Sequence, residues 1–321
     1  MIRWPDGKKF AFTIIDDTDK AVLAGVKPFY DGLLHHGLRT TKTVWALESD
    51  PADPYWGECL QDASYLQWIR DLRSAGFEIA WHGARSGGAD RATLRDALKL
   101  FRSRLEHSPV TYSNHSKNPE CIYWGAERFD DPLLHAAYRR FSRAPKFLGS
   151  TKGSEYCWED LCLETFRYVR DFTFSDVVTS RVDPWTPYID PRRPAVQRWF
   201  SASDGADVEK FVRLLQSNRL DDLEKSGGFC IVYTHAMSGF CRDGKLDSRV
   251  EAIFKDLQSR TGWYVPVVEL LDWVERERGE RTISTAERRR LEWKWVLDRV
   301  RHDGLRRKSK GQYDLRLEPS P

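Results

Sequence analysis

The sequence predicts an α/β fold, and three observations carry this prediction. Over roughly the first 275 residues, short apolar runs alternate with segments that repeat apolar residues at helical spacing, which is typical of parallel α/β proteins. Three of these runs stop at aspartate or histidine, where such folds place their functional side chains. The chain has 321 residues, enough for two domains or for one (β/α) barrel of about 250 residues with an appendage.

Strands and helices are predicted in alternating order. Apolar runs predict strands at residues 10–15, 41–47, 77–81, 110–113, 229–233 and 263–267. Apolar residues at helical spacing predict helices at residues 20–36, 64–75, 90–106, 246–260 and 268–277. Residues 120–200 are rich in aromatic residues and proline without a clean period, so we expect shorter strands and long loops there.

A polar break at residues 275–282 predicts a barrel domain at 1–276 and a helical C-terminal extension at 277–321. Ser284 and Glu287 have the spacing of a capping box, so a helix of about 15 residues should follow them. We expect this helix to turn apolar residues such as Leu291 and Trp295 toward the barrel.

The extension is basic, whereas the rest of the chain is mildly acidic. Between Arg276 and Lys310 there are 13 Lys/Arg against 6 Asp/Glu, so 38 of the 51 basic and 42 of the 48 acidic residues lie elsewhere. A basic segment is most often a solvated helix face, but it can also bind a nucleic acid, an anionic membrane surface or an acidic partner. Peripheral membrane contact is therefore one predicted role, and no nucleic-acid partner is expected.

Composition excludes several classes of protein. Hydrophobic residues make up 40% and charged residues 31%, which excludes a disordered or fibrous chain. No run approaches the ~20 apolar residues of a membrane span, and no leader peptide is visible, so we expect a cytoplasmic protein. Six cysteines without a C-x-x-C pair indicate reduced thiols. Phosphate-loop and dinucleotide-binding motifs are lacking.

Candidate site residues stand at the ends of three predicted strands: Asp16 and Asp17, then His82, then His235. Strand ends of a barrel face one space, so these side chains should meet. His115 follows a fourth strand. One aspartate with two histidines can hold a divalent metal that keeps a position open for water, and a further histidine can protonate a leaving group.

Asp19 follows the two adjacent aspartates closely enough to join the same site. Its alternative role is to cap the helix that follows.

Residues 14–18, 81–86, 231–235 and the closing segment 261–271 resemble, in order and spacing, motifs of the polysaccharide deacetylase superfamily (NodB homology, carbohydrate esterase family four). The resemblance covers roughly residues 8–276. It is closest to a divergent branch found in surface-polysaccharide and O-antigen biosynthesis loci. It implies a distorted (β/α) barrel, usually with fewer than eight strands, that binds zinc or another divalent metal.

The resemblance also implies roles for individual residues. By position, Asp16 would be the general base, Asp17 and His82 metal ligands, and His235 the general acid. The family has a second metal-binding histidine where this chain has Ser86.

Three departures from the family pattern bear on the site. Because serine is a poor zinc ligand, we predict His115 as the third ligand in place of Ser86. Thr18 replaces the usual glycine of the aspartate motif. The family's arginine–proline–tyrosine stretch has no clear counterpart, and residues 183–185 match the segment that orients the catalytic acid only weakly.

Four residues near these motifs are candidate sugar contacts, because flat aromatic rings with a polar edge suit the apolar faces of sugars. They are Trp81, Asn114, Trp124 and Trp185. For any one tryptophan, packing in the core or at the rim is the competing role.

The resemblance therefore implies a metal-dependent hydrolase that removes an acetyl or similar acyl group from a sugar. Because no export signal is visible, we expect it to act on a nucleotide-linked or lipid-linked glycan precursor in the cytoplasm. Two alternatives remain: a non-catalytic glycan-binding or assembly protein of the same fold, and a hydrolase of another amide or ester. Ser86 motivates the first alternative, whereas the intact Asp16, Asp17 and His235 argue against it.

Overall fold

The computed structural model describes residues 2–142, 144 and 146–303, and its centre is a closed barrel of seven parallel strands. These strands are β1 (Phe10–Asp16), β2 (Thr41–Trp45), β3 (Glu78–Gly83), β4 (Thr111–Tyr112), β5 (Tyr168–Phe174), β6 (Arg198–Asp204) and β7 (Phe229–Thr234). Consecutive strands are neighbours, and the barrel closes where β7 pairs with β1. The predicted (β/α) barrel is confirmed.

Helices surround the barrel, and a small hairpin and one further strand complete the fold. The helices are α1 (Leu23–His35), α2 (Ala63–Ser74), α3 (Arg91–Leu105), α4 (Pro132–Phe141), α5 (Glu159–Thr165), α6 (Thr179–Val182), α7 (Val208–Leu214), α8 (Ser217–Ser226), α9 (Ser248–Ser259), α10 (Val267–Arg278) and α11 (Thr285–Asp303). The hairpin joins β8 (Cys241–Arg242) to β9 (Lys245–Leu246), and β10 (Gly262–Tyr264) pairs with the start of β1. Within the described part of the chain, no helix is long and apolar enough to cross a membrane.

Side chains of β1 alternate between two buried clusters, and this alternation positions the site. Phe10, Phe12 and Ile14 belong to the large cluster between the strands and the helices. Ala11 and Ile15 belong to a smaller cluster inside the barrel, to which α10 contributes four buried aliphatic side chains. All seven residues of β1 are buried, as expected where both faces of a parallel sheet are covered.

The region where short strands were expected contains β5 and β6, each seven residues long, so that expectation is wrong. β5 carries Arg170 and Asp171 in its centre, and these charges break the apolar run that would have indicated a strand. The pairing of β5 with β6 shifts register between Arg170 and Thr173. Such an irregularity changes the alternation of side chains, and all three residues reach the same cavity.

The predicted C-terminal helix is present as α11, with 19 residues rather than about 15. Its capping box is formed, because the amide of Ser284 donates to Glu287 at 2.8 Å and the amide of Glu287 donates back to the serine hydroxyl at 3.3 Å. Leu291 is buried, and Trp295 packs partly buried against the main core, as predicted. The division at residue 276 stays a prediction, and residues 304–321 lie outside the described residues.

Candidate functional site

A cavity of about 240 Å³ opens at the carboxyl ends of the barrel strands. It is lined by residues at the ends of β1, β3, β5 and β7 and by the loops that follow β2 and β4. Of the residues predicted for the site, it brings together Asp17, Asn114, Trp124 and the three histidines His82, His115 and His235. Asp16, Trp81 and Trp185 do not line it.

Asp16 continues the outward-facing series of β1 and points away from the cavity. Its Oδ2 accepts hydrogen bonds from the Tyr30 hydroxyl and the Lys42 ammonium, both at 2.8 Å. Its Oδ1 accepts from the amide of Ala236 at 2.7 Å. Three donors thus occupy the carboxylate that was predicted to be the general base. Asp16 faces away from the cavity because the side chains of β1 alternate between the two faces of the strand up to its last residue.

Asp17 faces the cavity and is held by a buried arginine. Arg170 donates to Oδ1 at 3.1 Å and to Oδ2 at 2.7 Å, and the Ser113 hydroxyl donates to Oδ1 at 2.8 Å. Burial raises the pKa of Asp17, but Arg170, His82 and His235 outweigh it and bring the pKa below its ordinary value. The carboxylate is therefore ionised and fixed in place. The nearer nitrogen of His82 is 3.8 Å away.

Asp19, His82 and His115 form the tightest group of potential metal ligands. One ligand atom from each lies within 4.8 Å of the others. Asp19 Oδ1 is 3.1 Å from His82 Nε2 and 3.3 Å from His115 Nε2. Both histidines were predicted as ligands, whereas the aspartate in this group is Asp19 and not Asp17.

The residues present fit a divalent metal, because buried ligand atoms are left without hydrogen bonds. They are His115 Nε2, which faces Asp19, and His82 Nδ1, which lies 3.8 Å from Asp17, whereas His82 faces Asp19 through Nε2. His115 Nδ1 lies 3.0 Å from Asn118 Oδ1, an acceptor, which fixes the proton on Nδ1 and leaves Nε2 with a free lone pair. Two imidazoles and a carboxylate form a donor set of open metal sites. Ser86 turns away and donates to Asp53 at 2.5 Å.

His235 lies between the metal-ligand group and the wall of the barrel. Its Nδ1 is 3.1 Å from the carbonyl oxygen of Ala206, so this nitrogen is the donor. Its Nε2 is 3.3 Å from both Asp19 Oδ2 and the Tyr233 hydroxyl. Burial alone lowers the pKa of His235, but Asp19 and Asp17 outweigh it and raise the pKa above its ordinary value.

Two of the four predicted sugar contacts line the cavity and the other two do not. Trp81 is fully buried among outer core aromatics, because it precedes His82 in β3 and therefore faces the opposite side of the sheet. Trp185 lies outside the cavity, where its indole donates to a carboxylate of α11 at 3.0 Å. Trp124 and Asn114 line the cavity.

A second group of buried charges was not predicted from the sequence. Asp171 accepts from Arg128 Nε at 3.0 Å, from the Tyr188 hydroxyl at 2.9 Å and from Arg288 of α11. Arg288 also donates to the Arg128 carbonyl at 2.9 Å and to Glu292 at 3.2 Å. Every charged group here has a partner, and Arg128 and Asp171 line the cavity.

Comparison with solved structures identifies proteins that share this barrel fold. No protein-family model matches the chain, and no curated protein sequence matches it. The allantoinase PuuE superposes with a TM-score of 0.52 at 16% identity, over 86% of this chain and 93% of that one. A protein described as a polysaccharide deacetylase from Pseudomonas aeruginosa PAO1 gives a TM-score of 0.52 at 14% identity, over 86% and 94%.

A second protein described as a polysaccharide deacetylase, from Mycobacterium smegmatis, gives a TM-score of 0.51 at 15% identity, over 88% of this chain and 96% of that one. At these identities the likeness concerns the fold, and it extends over nearly the whole of each relative. The resemblance inferred from the sequence motifs is thereby confirmed at the level of architecture: this chain has the barrel fold of the polysaccharide deacetylases.

Proposed function

We propose that this chain is a metal-dependent hydrolase that removes an acetyl or similar acyl group from a sugar. One observation carries the proposal: His82 and His115 converge on Asp19 through their Nε2 atoms, at 3.1 and 3.3 Å, beside the ionised Asp17 and beside His235, in a single cavity. A metal ligand set, a base and an acid are the groups that hydrolysis of an amide or ester requires.

Asp19, His82 and His115 are the proposed metal ligands, and zinc is the proposed metal. Zinc accepts two imidazoles and one carboxylate in sites that leave a position open. When bound, such an ion would polarise the acyl carbonyl and make a water molecule more acidic.

Asp17 is the proposed general base, in place of Asp16. It faces the cavity, whereas Asp16 does not. Arg170 and the Ser113 hydroxyl hold its two oxygens in a fixed orientation. Because these contacts favour the ionised form, the carboxylate is ready to take a proton from an attacking water.

His235 is the proposed general acid. Its Nδ1 donates to the Ala206 carbonyl, which fixes the ring and leaves Nε2 directed into the cavity. The carboxylate of Asp19, 3.3 Å from Nε2, favours the protonated imidazole. A proton on Nε2 can therefore pass to the departing amine or alcohol.

The experiment measures bound metal and acyl release together. The full chain is loaded with zinc, metal content is determined, and acetate release is followed from acetylated sugars, both O-acetylated and N-acetylated. Asp19→Ala, His82→Ala and His115→Ala should each lose zinc. Asp17→Asn should keep zinc and lose about 10²- to 10⁴-fold in kcat, as expected for a general base.

His35→Ala is the matched control, because His35 is an exposed histidine of α1 outside the cavity. It should keep both zinc and activity. Full zinc occupancy in all three ligand variants would contradict the metal site, and an Asp17→Asn enzyme as fast as the parent would contradict the base.

Hydrolysis of another amide or ester is the second candidate. One solved structure with this fold is an allantoinase, so the assay includes allantoin as a cyclic amide substrate. A glycan-binding protein without catalysis would bind the acetylated sugars but release no acetate. The proposed role in O-antigen biosynthesis and the proposed cytoplasmic location rest on the sequence alone.

Peripheral membrane contact is proposed for α11. Trp293, Leu297 and Val300 are spaced along this helix with 39%, 50% and 65% of their surface exposed. Exposed arginines, Arg289 and Arg290 among them, lie on the same helix. Exposed apolar side chains among cations are typical of a helix that lies on an anionic membrane.

Sedimentation with vesicles tests this contact. The protein should bind vesicles that contain phosphatidylglycerol and should bind vesicles of phosphatidylcholine much less, since the attraction is electrostatic in part. Leu297→Ser should weaken binding, whereas Leu163→Ser, which changes an exposed leucine on α5, should not. Equal binding of the parent to both vesicles would contradict the proposal.

A further inference from the structure

A groove of positive charge continues from the cavity along the rim of the barrel. Beside the cavity lies a shallower depression of about 490 Å³. Thr173 and Tyr233 line both, so they form the wall that the two spaces share. Ala206, whose carbonyl binds His235, lines the second space. The groove therefore begins at Ala206, the residue whose carbonyl accepts a hydrogen bond from the proposed general acid, His235.

Four cationic side chains line this groove and its continuation along α7 and α11. They are Lys210, Arg213, Arg219 and Arg299. Among the described residues that line the groove, Asp204 is the one carboxylate. Asp207 and Asp298 lie at its margin, where they accept from the amides of Lys210 and Ser175. The groove is therefore lined by four cations and one anion.

The carboxylate of Asp204 is shared and does not neutralise the groove. Its Oδ2 accepts from Lys210 Nζ and from Arg299 NH1, both at 2.7 Å. One acid thus orders two cations side by side. Arg213 is exposed, and no hydrogen bond or ion pair is recorded for its side chain among the described residues.

We propose that this groove binds a phosphate or diphosphate group attached to the sugar whose acyl group is hydrolysed in the cavity. Guanidinium and ammonium groups are the usual partners of phosphate oxygens, and a pair held by one carboxylate needs little reorganisation to receive them. The inference rests on the proposed function and deepens it, because it assigns the substrate to the phosphate-linked sugars.

Two phosphate-linked sources share this chemistry, and they differ in what lies beyond the phosphates. A nucleotide-linked sugar carries a base and a ribose, and a lipid-linked sugar carries an isoprenoid. The ring of Trp295 lines the groove next to Arg299 and offers a flat surface to either of them.

The experiment measures binding without turnover, so its outcome does not depend on deacetylation. Pyrophosphate, uridine diphosphate and farnesyl diphosphate are titrated calorimetrically into the full chain, which has been dialysed against a chelator because phosphates also bind metals. Arg213→Gln and Lys210→Met should each weaken pyrophosphate binding about tenfold, the loss expected for one charge-assisted hydrogen bond. Tighter binding of one diphosphate ester identifies the source.

Arg242→Gln is the matched control, because Arg242 is an exposed arginine on the β8–β9 hairpin outside the groove. It should bind pyrophosphate as the parent does. No binding by the parent, or equal affinities for the parent, Arg213→Gln and Lys210→Met, would overturn the inference. If acyl hydrolysis fails while the phosphate titration succeeds, the proposed function is wrong and the groove stands.

Discussion

Two groups of buried charges lie at the same rim of the barrel, and they differ in how completely they are paired. Around Asp171, three donors from Arg128, Tyr188 and Arg288 occupy the carboxylate. Around Asp19, the imidazoles of His82 and His115 keep ring nitrogens without hydrogen bonds. Buried polar atoms are nearly always satisfied in native proteins. We therefore expect the saturated group, around Asp171, to hold the structure together, and the unsaturated group, around Asp19, to bind a ligand.

The largest expected effect is on stability at the saturated group. Asp171→Asn leaves Arg128 buried without a counter-charge and leaves Arg288 with Glu292 alone, so the free energy of unfolding should fall by about 3–5 kcal/mol. Asp19→Asn should cost clearly less in metal-free protein, because it leaves no buried guanidinium unpaired. Urea unfolding of both variants without metal measures the difference. Equal losses would remove the distinction between the two groups.

Metal should stabilise the protein through the group around Asp19 and not through the group around Asp171. Zinc at a hundred times its dissociation constant should stabilise the parent by about 2.7 kcal/mol, which thermal unfolding detects. The stabilisation should vanish in Asp19→Asn. It should persist in Glu292→Gln, which alters the saturated group at its edge. A zinc effect that is unchanged in Asp19→Asn would mean that the metal binds elsewhere.

Asn118 provides a smaller test of how His115 is oriented. Because Asn118 Oδ1 fixes the tautomer of His115 from 3.0 Å, Asn118→Ala should lower zinc affinity about 10- to 100-fold. Competition with a chromophoric chelator measures this change. Asn218→Ala, at an exposed asparagine of α8, should have no effect, and a similar loss there would point to a general change in the protein.

His36 supplies the smallest effect, because it is a buried histidine whose two nitrogens are both paired. They lie 2.8 Å from Gln258 Oε1 and 2.7 Å from Glu251 Oε1. Burial lowers the pKa of His36, but these contacts outweigh it and raise the pKa above its ordinary value. The contribution of His36 to the free energy of unfolding should therefore be complete below about pH 6.5, the pKa of a histidine in the unfolded chain. It should be lost as the pH rises through the pKa of His36 in the folded protein.

The size of this effect is limited, because 46% of the Glu251 side chain is exposed. We expect less than about 1 kcal/mol. Urea unfolding at pH 5.5 and pH 8 should show a smaller pH dependence for His36→Gln than for the parent. An unchanged dependence would show that pairing of this imidazole adds nothing.

The sequence predicted what local patterns encode. The barrel, the strand-end histidines His82 and His235, and the capping box of α11 follow from apolar runs and short spacings, and the structure has all of them. The adjacent pair Asp16 and Asp17 also stands at a strand end, but its two members face opposite sides of β1. Small residues of β1, such as Ala11, mark the inner face, and counting from them would have placed Asp17 inside.

The saturated group could not be predicted because its partners are distant in the chain. Asp171 and Arg288 are 117 positions apart, and no spacing rule connects them. Arg170 and Asp171 also prevented the prediction of β5, since two charges in the middle of an apolar run argue against a strand. A charged pair inside an otherwise apolar run, YVRDFTF, was the available signal of a functional strand.

The pairing of Asp171 with α11 also sets an order for folding on the ribosome. Chains emerge N-terminus first, at about 5–20 residues per second. All seven strands of the closed barrel have been synthesised before Arg288 is added. Until then Asp171 has only part of its buried counter-charge, so the rim of the cavity cannot reach its final form. A ribosome-bound chain that stops short of α11 should therefore contain the strands of the barrel without the finished rim of its cavity.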